Sequence, residues 1–110
     1  MAFKVIITPP AQHRLDMYIG YTVNTLKNRQ AAKAILDDAR LTKNKLSEIA
    51  DSLSPCMNPI LSKYGYKKIL FQKHQFLMIF RIHNDTVIVD GMYHELQDYE
   101  SLFINEMHLQ

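Results

Sequence analysis

The sequence predicts an α+β fold: an N-terminal strand, a long antiparallel helical hairpin packed on a mainly antiparallel four-stranded sheet, and a short C-terminal helix. Three observations carry this. The chain opens on a stretch that alternates like a strand, continues with two long apolar stripes at helical spacing, and ends with three alternating apolar runs separated by turn residues. At 110 residues, with 47% apolar and 22% charged side chains, it is sized for one domain burying roughly two-thirds of its unfolded surface.

FKVIIT (3–8) sets Phe3, Val5 and Ile7 against Lys4, Ile6 and Thr8, the period of a half-buried strand. Thr8 followed by Pro9 reads as a helix start, because threonine caps free N–H groups and proline loses nothing at the first helical position. Leu15, Tyr18, Ile19, Thr22, Val23 and Leu26 then recur at helical spacing. KNRQ (27–30) breaks the stripe, with Asn28 as the expected cap of a second helix whose apolar face runs from Ile35 to Leu53 and which Pro55 stops. The helices come to about 19 and about 25 residues, roughly 28 and 37 Å, and so short a connection makes them antiparallel. Residues 54–66 hold two prolines and a glycine without any period, a loop. YKKILFQ, FLMIFRI and TVIVDGMY follow as two consecutive hairpins, turning around Lys73 and His74 and around His83, Asn84 and Asp85. Leu96, Tyr99, Leu102, Phe103 and Met107 make the last helix.

A two-residue turn at Asn84 and Asp85 sets Arg81 opposite Ile88 and Leu77 opposite Met92. If the helical hairpin covers one face, Leu77, Ile79, Ile88 and Met92 add apolar surface to the other, for the C-terminal helix or a partner to cover. Position 88 lies about 20 Å along the strand from His94, so Arg81 cannot reach His94, whose expected neighbours are Gln75, Leu77 and the Lys73 turn.

Several function classes are disfavoured. One cysteine, Cys56, cannot staple the chain, and the five histidines form no close ligand pair, so no metal site is expected. No glycine-rich phosphate loop and no nucleophile elbow occurs, which argues against cofactor chemistry and a serine triad. An apolar run of three residues before two prolines is too short for a signal peptide or membrane span, which points to a soluble cytoplasmic protein with no membrane partner. The net charge of +2 is unevenly spread: residues 63–83 hold Lys63, Lys67, Lys68, Lys73 and Arg81 and no acid, whereas residues 84–110 hold six acids and no Lys or Arg. Either neighbouring strands of opposite sign face each other, or a basic face awaits an acidic partner.

His94, at the end of the last strand, is the most pointed candidate, because a strand end fixes a side chain whose tip still reaches solvent. The plain alternative is a histidine that bonds nearby backbone. Acid–base work on a phosphodiester needs a proton carrier and a cation where charge develops: His94 with Tyr93 offers the first, and Lys67, Lys68 or Lys73 the second. Tyr93 and His94 alternate faces of the strand, however, so at most one points into a given cleft unless the strand ends at Tyr93. Tyr64, Tyr66, Phe71 and Phe76 interleave the lysines as stacking rings for nucleic acid would, yet Phe71 and Phe76 stand where hairpin core residues belong.

The order of elements, FLMIFRI (76–82) and VIVDGMYHELQD (87–98) together resemble the RelE/ParE superfamily, the small toxins of bacterial type II toxin–antitoxin modules. FLMIFRI is similar to that family's "xLIFYRV" strand, and the second string to its closing "VxIxxVxHxxxD" strand, through Phe80, Arg81, Ile82, Val87, Val89, His94 and Asp98. The resemblance implies a growth-arresting toxin neutralised by a cognate antitoxin, touching operator DNA only through that antitoxin. RelE-like and YoeB-like members cleave ribosome-bound mRNA, whereas ParE-like members inhibit DNA gyrase. The ribonuclease branch typically carries "RLVY" in the central strand with a catalytic arginine first; in LMIF (77–80) Leu77 holds that place, and a leucine cannot stabilise developing phosphate charge. A histidine at the position of His94 occurs in both branches.

A ParE-like gyrase inhibitor is therefore the favoured expectation. The alternatives are a ribosome-dependent mRNA endoribonuclease, with His94, Tyr93 and Lys73 as its catalytic set, and a non-toxic interaction module. In the toxin reading an antitoxin segment, disordered until bound, lays a helix or strand on the apolar sheet face and the basic strip. Lys63, Lys67, Lys68, Arg81, Leu77 and Met92 are the contact candidates for antitoxin or target.

Overall fold

The computed structural model describes residues 2–110. In chain order it contains β1 (Lys4–Ile7), α1 (Pro9–Asn24), α2 (Arg29–Ile49), a 3₁₀ turn (Ala50–Ser52), α3 (Pro59–Lys63), β2 (Lys67–Leu70), β3 (Phe76–His83), β4 (Thr86–His94) and α4 (Tyr99–Met107). The sheet order is β1-β4-β3-β2, with β1 parallel to β4 and the other pairs antiparallel. The predicted α+β architecture is the one observed.

Local chemistry accounts for the helix ends. Asn28 caps α2 by accepting the Ala31 N–H at 2.9 Å, as predicted. Thr8 stands at the start of α1 but its hydroxyl donates to the Val89 carbonyl at 3.1 Å, so it ties the helix to β4 instead of capping it. The helices are shorter than predicted, 16 and 21 residues, because Lys27 turns the chain at φ 54° and α2 tightens into the 3₁₀ turn at Ala50. Within the predicted loop, Asn58 and Pro59 start α3 and Gly65, at φ 79°, ends it, with the Gly65 and Tyr66 N–H groups bonded to Ser62 and Leu61 carbonyls. Leu96 was expected on the last helix but lies in the turn before it, 82% exposed. That turn is fixed by backbone bonds from Glu95 N–H to Gln75 O and from Gln97 N–H to His94 O.

The sheet separates two apolar cores. On one face Leu15, Ile35, Ala39 and Leu46 of the hairpin pack on Met78, Phe80, Val87 and Val89. On the other, Leu61, Tyr66 and Phe103 cover Leu77, Ile79 and Tyr93. Fully burying a ring such as Phe103 contributes about 1.5–3 kcal/mol.

One irregularity decides which residues belong to which face. The β3–β4 register follows the predicted turn from His83↔Thr86 to Phe80↔Val89, then shifts, and Ile79 pairs with Gly91. Asp90 is the extra residue of a β-bulge. Past it the alternation is inverted, which corrects the predicted pairing: Leu77 lies opposite Tyr93, and Met78 lies opposite Met92. Met92 consequently joins the hairpin-side core, not the α4 side where sequence alternation put it. Gly91 is required beside the bulge, since a Cβ there would lie 2.8 Å from the rings of Phe103 and Tyr93.

Candidate functional site at the end of the central hairpin

β1 ends at Ile7, so the second half of β4 has no strand neighbour on that side and α1 runs beside it instead. This places Tyr18 of α1 against the end of β4. The Tyr18 hydroxyl donates to Gln97 Oε1 at 2.6 Å, and the same oxygen accepts the His94 backbone N–H at 2.9 Å. The His94 ring meets Phe76 edge-on at 5.0 Å, and Tyr18 meets the same Phe76 at 5.0 Å. Burial pushes the Tyr18 phenol above its ordinary value, so at neutral pH it remains a hydroxyl. His94 Nδ1 accepts the Leu96 N–H at 3.1 Å. A nitrogen that accepts carries no proton, so the neutral ring bears its hydrogen on Nε2.

Tyr93 points the other way. It is fully buried in the α4-side core, its hydroxyl donates to Glu106 at 2.8 Å, and the Arg14 guanidinium lies 4.9 Å over its ring while forming an ion pair with Glu106. Burial pushes its phenol up to about 12. The predicted set of His94, Tyr93 and Lys73 is thus divided: His94 faces the hairpin side and Tyr93 the α4 side.

Lys73 lies in the β2–β3 turn at the same end of the sheet. Asp38 of α2, with a fully buried side chain, holds this turn by accepting the N–H groups of Gln72 at 3.0 Å and Lys73 at 2.9 Å and the Nδ1–H of His74 at 2.7 Å. Burial raises the Asp38 carboxyl, but the bonds from His74, Lys73 and Gln72 outweigh it and hold the group below its ordinary value. Asp38 was missed from sequence although it offered a signal: with Thr42 it interrupts the apolar stripe of α2 and is buried along it. Tyr18 and Gln97 gave no such signal, because a tyrosine on an apolar stripe and a glutamine in a turn are ordinary.

The basic candidates are dispersed. Arg81 pairs with Ile88, as predicted, and donates through Nε to Asp90 at 3.0 Å; Asp90, buried at the bulge, also accepts the Tyr66 hydroxyl at 2.9 Å. Lys68 donates to the Tyr99 hydroxyl at 2.8 Å, the leading reason its ammonium is held above its ordinary value, and Lys67 reaches the Asp51 carbonyl at 3.4 Å. Lys63, on α3, lies 5.6 Å over the Tyr64 ring. Leu77 and Met92, expected as contact surface, are each 1% exposed, Leu77 in the α4-side core and Met92 in the hairpin-side core. Both are covered by the chain's own helices.

Among the described residues no three His, Cys, Asp or Glu side chains cluster as metal ligands, and no helix is long and apolar enough to cross a membrane.

No protein-family model and no curated protein matches the chain. Solved structures do. A chain of the chromosomal ParDE TA system from P. aeruginosa superposes with a TM-score of 0.68 at 19% identity, covering 84% of this chain and 96% of that one. A chain of the toxin–antitoxin complex RelBE2 from Mycobacterium tuberculosis does so with a TM-score of 0.56 at 15% identity, covering 86% and 99%. At these identities the likeness shows the fold, which is the RelE/ParE-like fold the sequence motifs led us to expect.

Proposed function

We propose, from a fold shared with chains of ParDE and RelBE2 complexes, that this protein is the toxin of a bacterial type II toxin–antitoxin module, neutralised by a cognate antitoxin in the cytoplasm. Its mode is ParE-like inhibition of DNA gyrase, not cleavage of ribosome-bound mRNA. The observation that carries the choice is the separation of Tyr93 from His94 by the sheet, with the Tyr93 phenol buried against Glu106. Acid–base cleavage of a phosphodiester needs two proton carriers on one scissile bond, with a cation at the developing charge. Here one carrier is enclosed. His94 has its Nδ1 bonded to backbone and its Nε2 protonated, so the neutral ring has no free lone pair to act as a base. Leu77, where the ribonuclease pattern has an arginine, is buried and apolar.

Induction of the gene is expected to arrest growth, and co-expression of the neighbouring reading frame to relieve it. Purified protein is expected to inhibit gyrase supercoiling and to leave ribosome-bound mRNA intact. Cleavage of that mRNA by the wild type but not by His94→Ala would overturn the gyrase reading, and absence of growth arrest would overturn the toxin reading.

A further inference from the structure

Beside His94 a cleft of about 500 Å³ opens between the tip of the helical hairpin and the end of the sheet. Its walls are apolar and largely aromatic: Tyr18 and Tyr21 from α1, Leu26 from the hairpin tip, Ile35 from α2 and Phe76 from β3. Tyr21 and Leu26, 56% and 57% exposed, form its rim. Its volume is within the range of small-molecule sites, which pair apolar walls with a few placed polar groups.

Besides the hydroxyls of Tyr18, Tyr21 and Thr22, the polar groups here come from His94 and Gln97. The backbone N–H of His94 needs an acceptor, and this fixes Gln97 with Oε1 inward, where Oε1 also takes the Tyr18 hydroxyl hydrogen. The amide nitrogen of Gln97 is left with two hydrogens and no protein partner among the described residues. On His94 the Leu96 N–H occupies Nδ1, which leaves an Nε2–H, likewise without a partner. Two side chains that line one apolar cleft therefore have their acceptors consumed internally and their donors free. No Lys, Arg, Asp or Glu lines it.

We propose that this cleft is a binding site for a small uncharged molecule with an aromatic body and a carbonyl acceptor. The rings of Tyr18 and Phe76 would take the flat body and the hydrogens of Gln97 and His94 the oxygen. A hydrocarbon would leave both donors without a partner, and a carboxylate would find no Lys or Arg among the lining residues to pair with.

The test uses the full chain and three probes of similar size, acetophenone, ethylbenzene and benzoate, titrated to millimolar concentration and followed by NMR. Acetophenone is expected to saturate, to shift resonances of Tyr18, Phe76 and His94, and to bind about three- to tenfold tighter than the other two, the worth of one or two neutral hydrogen bonds. Gln97→Glu keeps an oxygen for Tyr18 and the His94 N–H but removes the amide hydrogens and leaves only the His94 donor, and should reduce the preference for acetophenone over ethylbenzene. Ala31→Leu, which fills the cleft from α2, should abolish binding of all three. Non-saturating shifts, shifts centred elsewhere, equal affinity for the three probes in the wild type, or an unchanged preference in Gln97→Glu would each overturn the proposal. The wild-type comparison stands even if a variant fails to fold, which its amide spectrum would reveal.

Discussion

The Asp38 carboxylate accepts the Nδ1–H of His74 at 2.7 Å, joining α2 to a turn 36 residues further along the chain. Together with the Gln72 and Lys73 N–H bonds this makes one buried anion the fastening of the β2–β3 turn to the helical hairpin. Asp38→Ala should destabilise the protein by about 2–3 kcal/mol, since hydrogen bonds to a charged group are lost and backbone donors are left without a partner. Urea unfolding checks this. A loss below about 0.5 kcal/mol would show that water substitutes for the carboxylate.

The same carboxylate sets an acid dependence. Its folded-state pKa is depressed, so its contribution is present above the ordinary aspartate value and is lost as pH falls through the lower folded value. Thermal melts of the wild type should lose stability across that acidic window, and Asp38→Ala should show a shallower decline. Parallel curves for the two proteins would assign the acid sensitivity to other groups.

Gly91→Ala should cost about 1–3 kcal/mol, the usual range for overpacking, because the new methyl lies 2.8 Å from the rings of Phe103 and Tyr93 in a filled core. Phe103→Leu makes room, so in a double-mutant cycle the two changes should cost less together than the sum of the singles. Strict additivity would mean that the ring does not limit the site.

The bulge that makes Gly91 critical also marks where the sequence stopped being legible. The strands, the hairpin of helices and the Asn28 cap follow from periodicity and capping chemistry, which are local. The face on which Met92 lies does not: a single extra residue inverts every later position, and alternation counted from the Asn84–Asp85 turn carries no record of it. Asp90 and Gly91 were nevertheless a signal, a charge and a glycine inside an apolar strand. The division of Tyr93 from His94 was foreseen from the pleat alone. The engagement of Tyr18 and Gln97 with His94 depends on α1 lying beside the unpaired half of β4, a tertiary placement no local pattern encodes.

Two buried phenols predict the alkaline limb. Burial pushes Tyr66 and Tyr93 up to about 12, with the Asp90 carboxylate adding to the effect on Tyr66. Because both folded values lie above the ordinary value of 10, stability is fully present below pH 10 and declines as pH rises toward 12. Ultraviolet titration should show a late fraction of phenolate appearing together with unfolding. Combining Tyr66→Phe with Tyr93→Phe should shrink that fraction to the share of Tyr18 and flatten the decline; an undiminished fraction would place the late phenols elsewhere.

Arg14 ties α1 to α4, through the Tyr93 ring beneath it and the Glu106 carboxylate beyond. The arginine is 21% exposed and Glu106 39%, so solvent screens the ion pair and its worth is about 1 kcal/mol or less, while the ring contact adds a comparable amount. Small as this is, it falls on a short helix. The nine residues of α4 are too few to be stable alone, and only Phe103 among them is fully enclosed. Local opening of α4 should therefore lie well below the free energy of global unfolding. Arg14→Met, which keeps an apolar stem over Tyr93 but removes the charge, should raise hydrogen exchange across Tyr99–Met107 roughly threefold to fivefold, with exchange in β3 and β4 unchanged. If exchange rose equally throughout the chain, α4 would belong to the global folding unit and Arg14 would be supporting the whole sheet.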